Sequence, residues 1–191
     1  MALVLTSGPT LEPVTVAEAK AHLRLDGNAE DALVASLILT SRLHIEAALG
    51  FALISQSWTL FLDAWPDAAL VVFPIRPVLS IGSVRVISAE GVQTVLPPSD
   101  YLLDGASLTP RLVRTGSTWP VPGKAANGIE IALTAGFGPA ATDVPAPIRH
   151  ALMMLVTHWY EHRDPIEIGA SSSNIPKAIS DLLMPYRAVR L

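Results

Sequence analysis

The sequence has no cysteine, which excludes disulfide scaffolds, thiolate metal centres and thiol nucleophiles together. Charge is scarce: Asp, Glu, Lys and Arg make up 16% of 191 residues, against about a quarter in an ordinary soluble domain. Aromatic residues contribute 6%, and the ten arginines are scattered without a basic run. The interleaved basic and aromatic surface of a single-strand binder is therefore missing. A net charge of −4 also excludes a generally basic nucleic-acid binder. No uncharged run reaches the eighteen or so residues of a membrane-spanning helix, and the apolar stretch Ala32–Ser41 is closed by Arg42. The segment Met1 to Pro9 lacks the basic residue and the long apolar core of a signal peptide. These absences predict a soluble chain made in a cytoplasm.

What abounds is apolar residue, 50% of the chain. That excludes disorder and points to surface covered by partners. The length suits one domain, large enough for a core without covalent staples. The predicted fold class is α+β: a helical bundle built from both chain ends (1–54 and 140–191) with a β-rich insertion (55–139).

The first zone reads as helical to about Phe51. Thr15-Val-Ala-Glu18 has the form of a capping box and predicts a short helix to about Leu25. A longer helix is predicted over 29–49, its apolar stripe being Val34, Ile38, Ile45, Ala48 and Leu49, with Gly50 just past its end. The middle zone holds nine of the 16 prolines. Strands are predicted at 58–63, 70–73, 83–87, 92–96, 112–113 and 129–134, with a hairpin turn at Glu90-Gly91. The third zone predicts a helix to about His162 with a stripe of Ile148, Ala151, Leu152, Leu155 and Trp159. A small-residue linker, 169–174, precedes a last helix that opens near Pro176, carries Ile179, Leu182 and Leu183, and stops at Pro185.

Among motifs with chemistry, His158-Trp-Tyr-Glu-His162 fits the H-x-x-E-H pattern of inverted zinc metallopeptidases. Residues four apart share a helix face, so His158 and His162 are placed to share a metal, with Glu161 as base. This is the alternative reading, a small zinc-dependent hydrolase. It needs a third ligand, and the later carboxylates Asp164, Glu167 and Asp181 stand on no recognisable second ligand helix. The structural reading is an exposed helix end where His162 and Arg163 favour the dipole. Gly116 to Lys124 departs from a phosphate loop at three points: its glycine spacing, its two prolines and Ala125. Gly136-Phe-Gly138-Pro139 reads as a turn between strand and helix, since a dinucleotide fingerprint needs a third glycine. No G-x-S-x-G occurs, Ser171–Ser173 sit in the linker, and His22, His44 and His150 stand singly on helices. Catalytic residues, metal ligands and cofactors are accordingly expected to be none.

Several stretches taken in order carry a resemblance. They are Thr15 to Leu25, Ala29-Glu-Asp-Ala32, Ala52 to Trp58, Ile75-Arg-Pro-Val78 and Pro98-Ser-Asp-Tyr101. Ala135-Gly-Phe-Gly138, Val144 to Arg149, Leu155 to Arg163 and Leu182 to Arg187 complete the series. Across nearly the whole chain it resembles the head–tail connector, or neck adaptor, proteins of tailed phages and gene transfer agents. The resemblance implies a structural, non-enzymatic subunit of a virion or gene transfer agent particle. Copies of such a protein form a dodecameric ring between the portal protein and the stopper or tail terminator. Packaged DNA passes through the lumen without sequence-specific binding, and the same resemblance leaves another neck component, such as a stopper, as a variant. It places portal binding on the C-terminal segment, here Tyr186, Arg187, Val189, Arg190 and Leu191. A ring needs two different covered faces per subunit, which suits the low charge and high apolar content. A mildly acidic wall also lets phosphates slide where a basic one would grip them.

Overall fold

The structure, a computed structural model, describes residues 1–66, 70–116, 118–162 and 175–187. The chain divides into two compact units: residues 1–9 with 50–139, and residues 10–49 with the chain from 140 onward.

The first unit is built by period-two alternation. Its strands are β1 (Ala2–Ser7), β2 (Gln56–Leu62), β3 (Leu70–Val72), β4 (Val78–Ile87), β5 (Gln93–Val95), β6 (Tyr101–Asp104), β7 (Arg111–Arg114) and β8 (Ile129–Ala135). A five-stranded sheet runs β1-β2-β8-β4-β5 and a three-stranded one β3-β7-β6, every pairing antiparallel. β8 is central, and Ile129, Ile131, Leu133 and Ala135 alternate inward along it. Ile131 stands opposite Leu60 on one side and Val84 on the other, and all three are fully buried. Val71 and Leu112 from the smaller sheet, and Phe73 just past β3, join the same core. The hairpin at Glu90-Gly91 forms as expected, with Gly91 at φ +84° between β4 and β5.

The second unit follows helical period. Its helices are α1 (Val16–Leu23), α2 (Asp31–Leu49), α3 (Ala146–Glu161) and α4 (Lys177–Leu183). The capping box is present in full: Thr15 Oγ1 accepts from the Glu18 amide at 3.1 Å, and Glu18 Oε2 accepts from the Thr15 amide at 2.8 Å. Gly50 follows α2 at φ +66°, a conformation that favours glycine. Ile148, Ala151, Leu152 and Leu155 of α3 are buried with Ile179 and Leu183 of α4. α2 is long and apolar enough to cross a membrane by length and composition, with a third of its most apolar stretch buried in the protein.

Four expectations are corrected. Residues 2–7, placed in a helical zone, form β1, because pairing with β2 satisfies backbone groups that so short a terminal helix leaves open. Residues 101–104 form β6, a strand without a predicted counterpart, paired to β7 from Tyr101↔Arg114 to Asp104↔Arg111. On α2, Ala48 is exposed, and Ser41 and Arg42 take inward positions beside Val34, Ile38, Ile45 and Leu49. The last helix continues past Leu183 as a 3-10 turn over Met184–Tyr186, so Pro185 sits inside a turn that needs no amide from it. The linker at 169–174 lies outside the described residues.

Candidate functional site

The histidine pair at the end of α3 was the strongest candidate for chemistry. His158 and His162 do face each other, with ring centroids 4.6 Å apart. The helix ends there: His162 is the C-cap, and its backbone amide donates to the His158 carbonyl at 3.1 Å. His162 Nδ1 lies 2.8 Å from that same carbonyl oxygen, so this nitrogen is engaged within the helix end. Burial first, and the neighbouring His162 second, push His158 below the ordinary imidazole range, with Glu161 opposing. The adjacent aromatics are committed to packing or hydrogen bonding. Trp159 meets His44 edge-on at 5.6 Å, and Tyr160 donates to Glu30 of the second unit. Among the described residues no group of three or more His, Cys, Asp or Glu could hold a metal. Of the carboxylates considered as a third ligand, Asp181 stands on α4, and Asp164 and Glu167 lie outside the described residues. Among the described residues the two imidazoles close a helix, and a working zinc centre needs a further ligand.

The glycine-rich loop resolves in the same direction. The amides of Gly123 and Lys124 donate to the Ile87 carbonyl at 3.0 and 3.2 Å, so they are spent inside the protein. Trp119 is buried against Trp65, whose Nε1 donates to the Pro120 carbonyl at 2.8 Å. A Cβ on Gly123 would lie 2.4 Å from the Ala89 amide nitrogen. This glycine serves close backbone packing, and a phosphate cradle would need its amide free.

Five of the stretches that carried the family resemblance meet at two joints instead. In the first unit, Ala52–Ser55, Ile75–Val78 and Ala135–Gly138 meet through their backbones. The Ala52 amide donates to the Arg76 carbonyl at 2.9 Å, and the Gly136 amide to the Pro77 carbonyl at 3.0 Å. The Phe137 amide donates to the Leu53 carbonyl at 3.2 Å, and the Ser55 amide to the Gly138 carbonyl at 2.9 Å. The Arg76 guanidinium sits 4.5 Å over the Phe51 ring, and Phe51 meets Phe137 edge-on at 5.5 Å. In the second unit, Arg149 Nη2 donates to Glu18 at 2.7 Å, and its Nε donates to the Pro13 carbonyl at 2.9 Å. A third cluster holds Arg42, which is buried and donates to Glu12 and Glu46 at 2.7 Å each.

These arginines escaped the reading of the sequence as functional residues. Their signal was position: Arg42 closes an apolar run, Arg76 precedes a proline, and Arg149 follows one within a helix start. Of the expected portal-binding residues, Tyr186 is half-buried in the 3-10 turn, and Arg187 is exposed just after it. Val189, Arg190 and Leu191 lie outside the described residues.

No protein-family model and no curated protein matches the chain. Solved structures do. A chain in the virion of a native gene transfer agent particle is 30% identical with a TM-score of 0.84. A chain in the neck of an empty gene transfer agent particle computed with C6 symmetry is 30% identical with a TM-score of 0.87. A chain in the neck of a native particle computed with C12 symmetry is 31% identical with a TM-score of 0.80. Each match covers 100% of this chain and 97% of the other. Full-length likeness at 30–31% identity places the protein: it belongs to the family of tailed-phage and gene transfer agent neck proteins.

Proposed function

We propose that this protein is the head–tail connector, or adaptor, subunit of its particle. Copies form a ring that joins the portal to the stopper or tail, and packaged DNA passes through the lumen. The observation that carries this reading is the end-to-end likeness to a chain in a particle neck of twelve-fold symmetry, which supports a dodecamer. The whole chain, 1–191, then acts as one connector subunit. Non-enzymatic action is supported by how the candidate motifs are spent: the histidines close a helix, the glycine loop packs on a strand, and several of the signature stretches meet at joints. Tyr186 and Arg187, with Val189, Arg190 and Leu191 beyond them, are the segment assigned to the portal, a mixed apolar and basic arm suited to a groove.

The test is affinity purification of a tagged copy from a particle-producing host, with mass spectrometry and electron microscopy of the recovered material. Co-recovery with portal and tail proteins in DNA-bearing particles is expected. Recovery as a lone protein under those conditions overturns the neck assignment. Recovery on the tail side without the portal makes the protein a stopper. A truncation after Pro185 is expected to keep the fold and lose the portal.

A further inference from the structure

Within residues 32–49 of α2 only two side chains are charged, Arg42 and Glu46. Both are largely buried and paired, Arg42 bridging to Glu46 and Glu12 at 2.7 Å each. The outward face is consequently free of Asp, Glu, Lys and Arg over more than four turns. It presents Ala35, Ser36, Leu39, Thr40, Leu43 and Ala47, all exposed, with Leu39 at 42% and Leu43 at 52% of full exposure. A solvated helix face ordinarily carries interspersed charges. α1 and α3 both pack on α2, whose buried Val34, Ile38, Ile45 and Leu49 lie opposite these residues, so among the described elements this face is left over by the bundle.

We infer that the outward face of α2 is a ring contact, covered by a neighbouring copy of this chain. The inference rests on the neck-ring reading above. Charge and area select the occupant. Two copies each carry −4 and repel at long range. A surface stripped of charge is where like-charged copies can touch, whereas a partner recognised by opposite charge would meet a charged face. Residues 32–48 span about 25 Å at helix rise, which with a helix width near 10 Å gives about 250 Å². A standard interface needs about 800 Å² per partner. This patch is too small for a free dimer, and it suits a subunit held by a neighbour on each side in a closed ring. The contact is heterologous, meeting a different face of the next copy.

The absence of cysteine makes the test direct. Leu43→Cys creates a single thiol on an exposed position that the fold does not depend on, and Leu39→Cys serves as a second variant. In the free protein the thiol is expected to react readily with a maleimide. In purified particles it is expected to react about tenfold more slowly or less, as for a group that water reaches only when the contact opens. A photo-crosslinking residue at position 39 is expected to capture a second copy, read as a band at twice 20.3 kDa. A thiol equally reactive in the particle, or a cross-link to a different neck protein, overturns the α2 assignment and leaves the neck reading standing. Absence of the wild-type chain from purified particles takes down both.

Discussion

Arg149, in the first turn of α3, donates to the carboxylate of Glu18, in the first turn of α1, across 131 positions of sequence at 2.7 Å. The same carboxylate completes the capping box with Thr15. One side chain therefore starts a local helix and ties it to an element from the far end of the chain. This is how the second unit draws on two separated segments.

The Glu18 link makes stability depend on pH in a stated direction. The Thr15 backbone amide first, and the Arg149 charge with the Thr15 and Arg149 side chains further, hold the Glu18 carboxyl below its ordinary 4.5. The folded state thus binds this proton less readily than the unfolded state. The contribution is present above 4.5 and is lost as pH falls through the lowered value. Glu18→Gln is expected to flatten the acid side of the melting profile, measured by circular dichroism between about pH 6 and pH 3. Thr15→Ala, which removes the other half of the cap, is expected to cost about 1 kcal/mol at neutral pH.

The buried ion pair inside α2 is expected to respond asymmetrically. Arg42→Ala leaves Glu46, 10% exposed, without its nearest cation. Removing one member of such a pair costs about 3–5 kcal/mol. Arg42→Met combined with Glu46→Leu removes both charges and is expected to cost far less, since Glu12 is partly exposed and can hydrate. Urea denaturation of the two variants checks the difference.

What was readable in the sequence was what repeats locally. α1 with its capping box, the stripe of α3 and the alternation of β8 each follow from residues within a few positions of one another. β1 was missed because its evidence lies elsewhere: Ala2–Ser7 shows little alternation of its own and becomes a strand through β2, with Ala2 paired to Phe61 and Ser7 to Ser57. Arg42 was missed for a related reason. A charged residue fits an inward helix position only where carboxylates meet it, and Glu12 comes from thirty positions upstream. The histidine pair was legible as a pattern, and its local geometry shows a helix cap; a third ligand is a matter of the surroundings, which a local pattern does not carry.

Metal removal is expected to change nothing about the particle. Dialysis of assembled particles against a chelator should leave DNA delivery intact, and the free chain should carry far less than one zinc per copy. One tightly bound zinc per chain, with a loss of delivery on its removal, would sink the structural reading of the histidine pair. Protons should still act there. Burial, and His162 after it, push His158 below 6.5, so its neutral form is the one that the fold favours. Stability from this group is present above 6.5 and declines as pH falls through the lowered value. His158→Gln is expected to remove that decline while keeping the helix.

Gly136 gives the sharpest test of the joint in the first unit. It sits at φ +139°, and a Cβ there would lie 2.6 Å from the carbonyl carbon and oxygen of Ile54 and from the Ser55 amide nitrogen. All three are backbone atoms, so no side-chain rotation relieves the clash. The Gly136 amide also donates to the Pro77 carbonyl, and the following Phe137 amide to Leu53, so a shift here pulls on both neighbouring segments. Gly136→Ala is expected to destabilise the protein by about 2–4 kcal/mol, through backbone strain and the loss of these bonds. Gly8 is the control: nothing lies within 4 Å of its would-be Cβ. Gly8→Ala is expected to stay within about 0.5 kcal/mol of the parent. Thermal melts of the two alanine variants decide whether the Ala135–Gly138 signature exists for backbone packing. Equal stability of both would show that the glycine at 136 is not required by backbone packing.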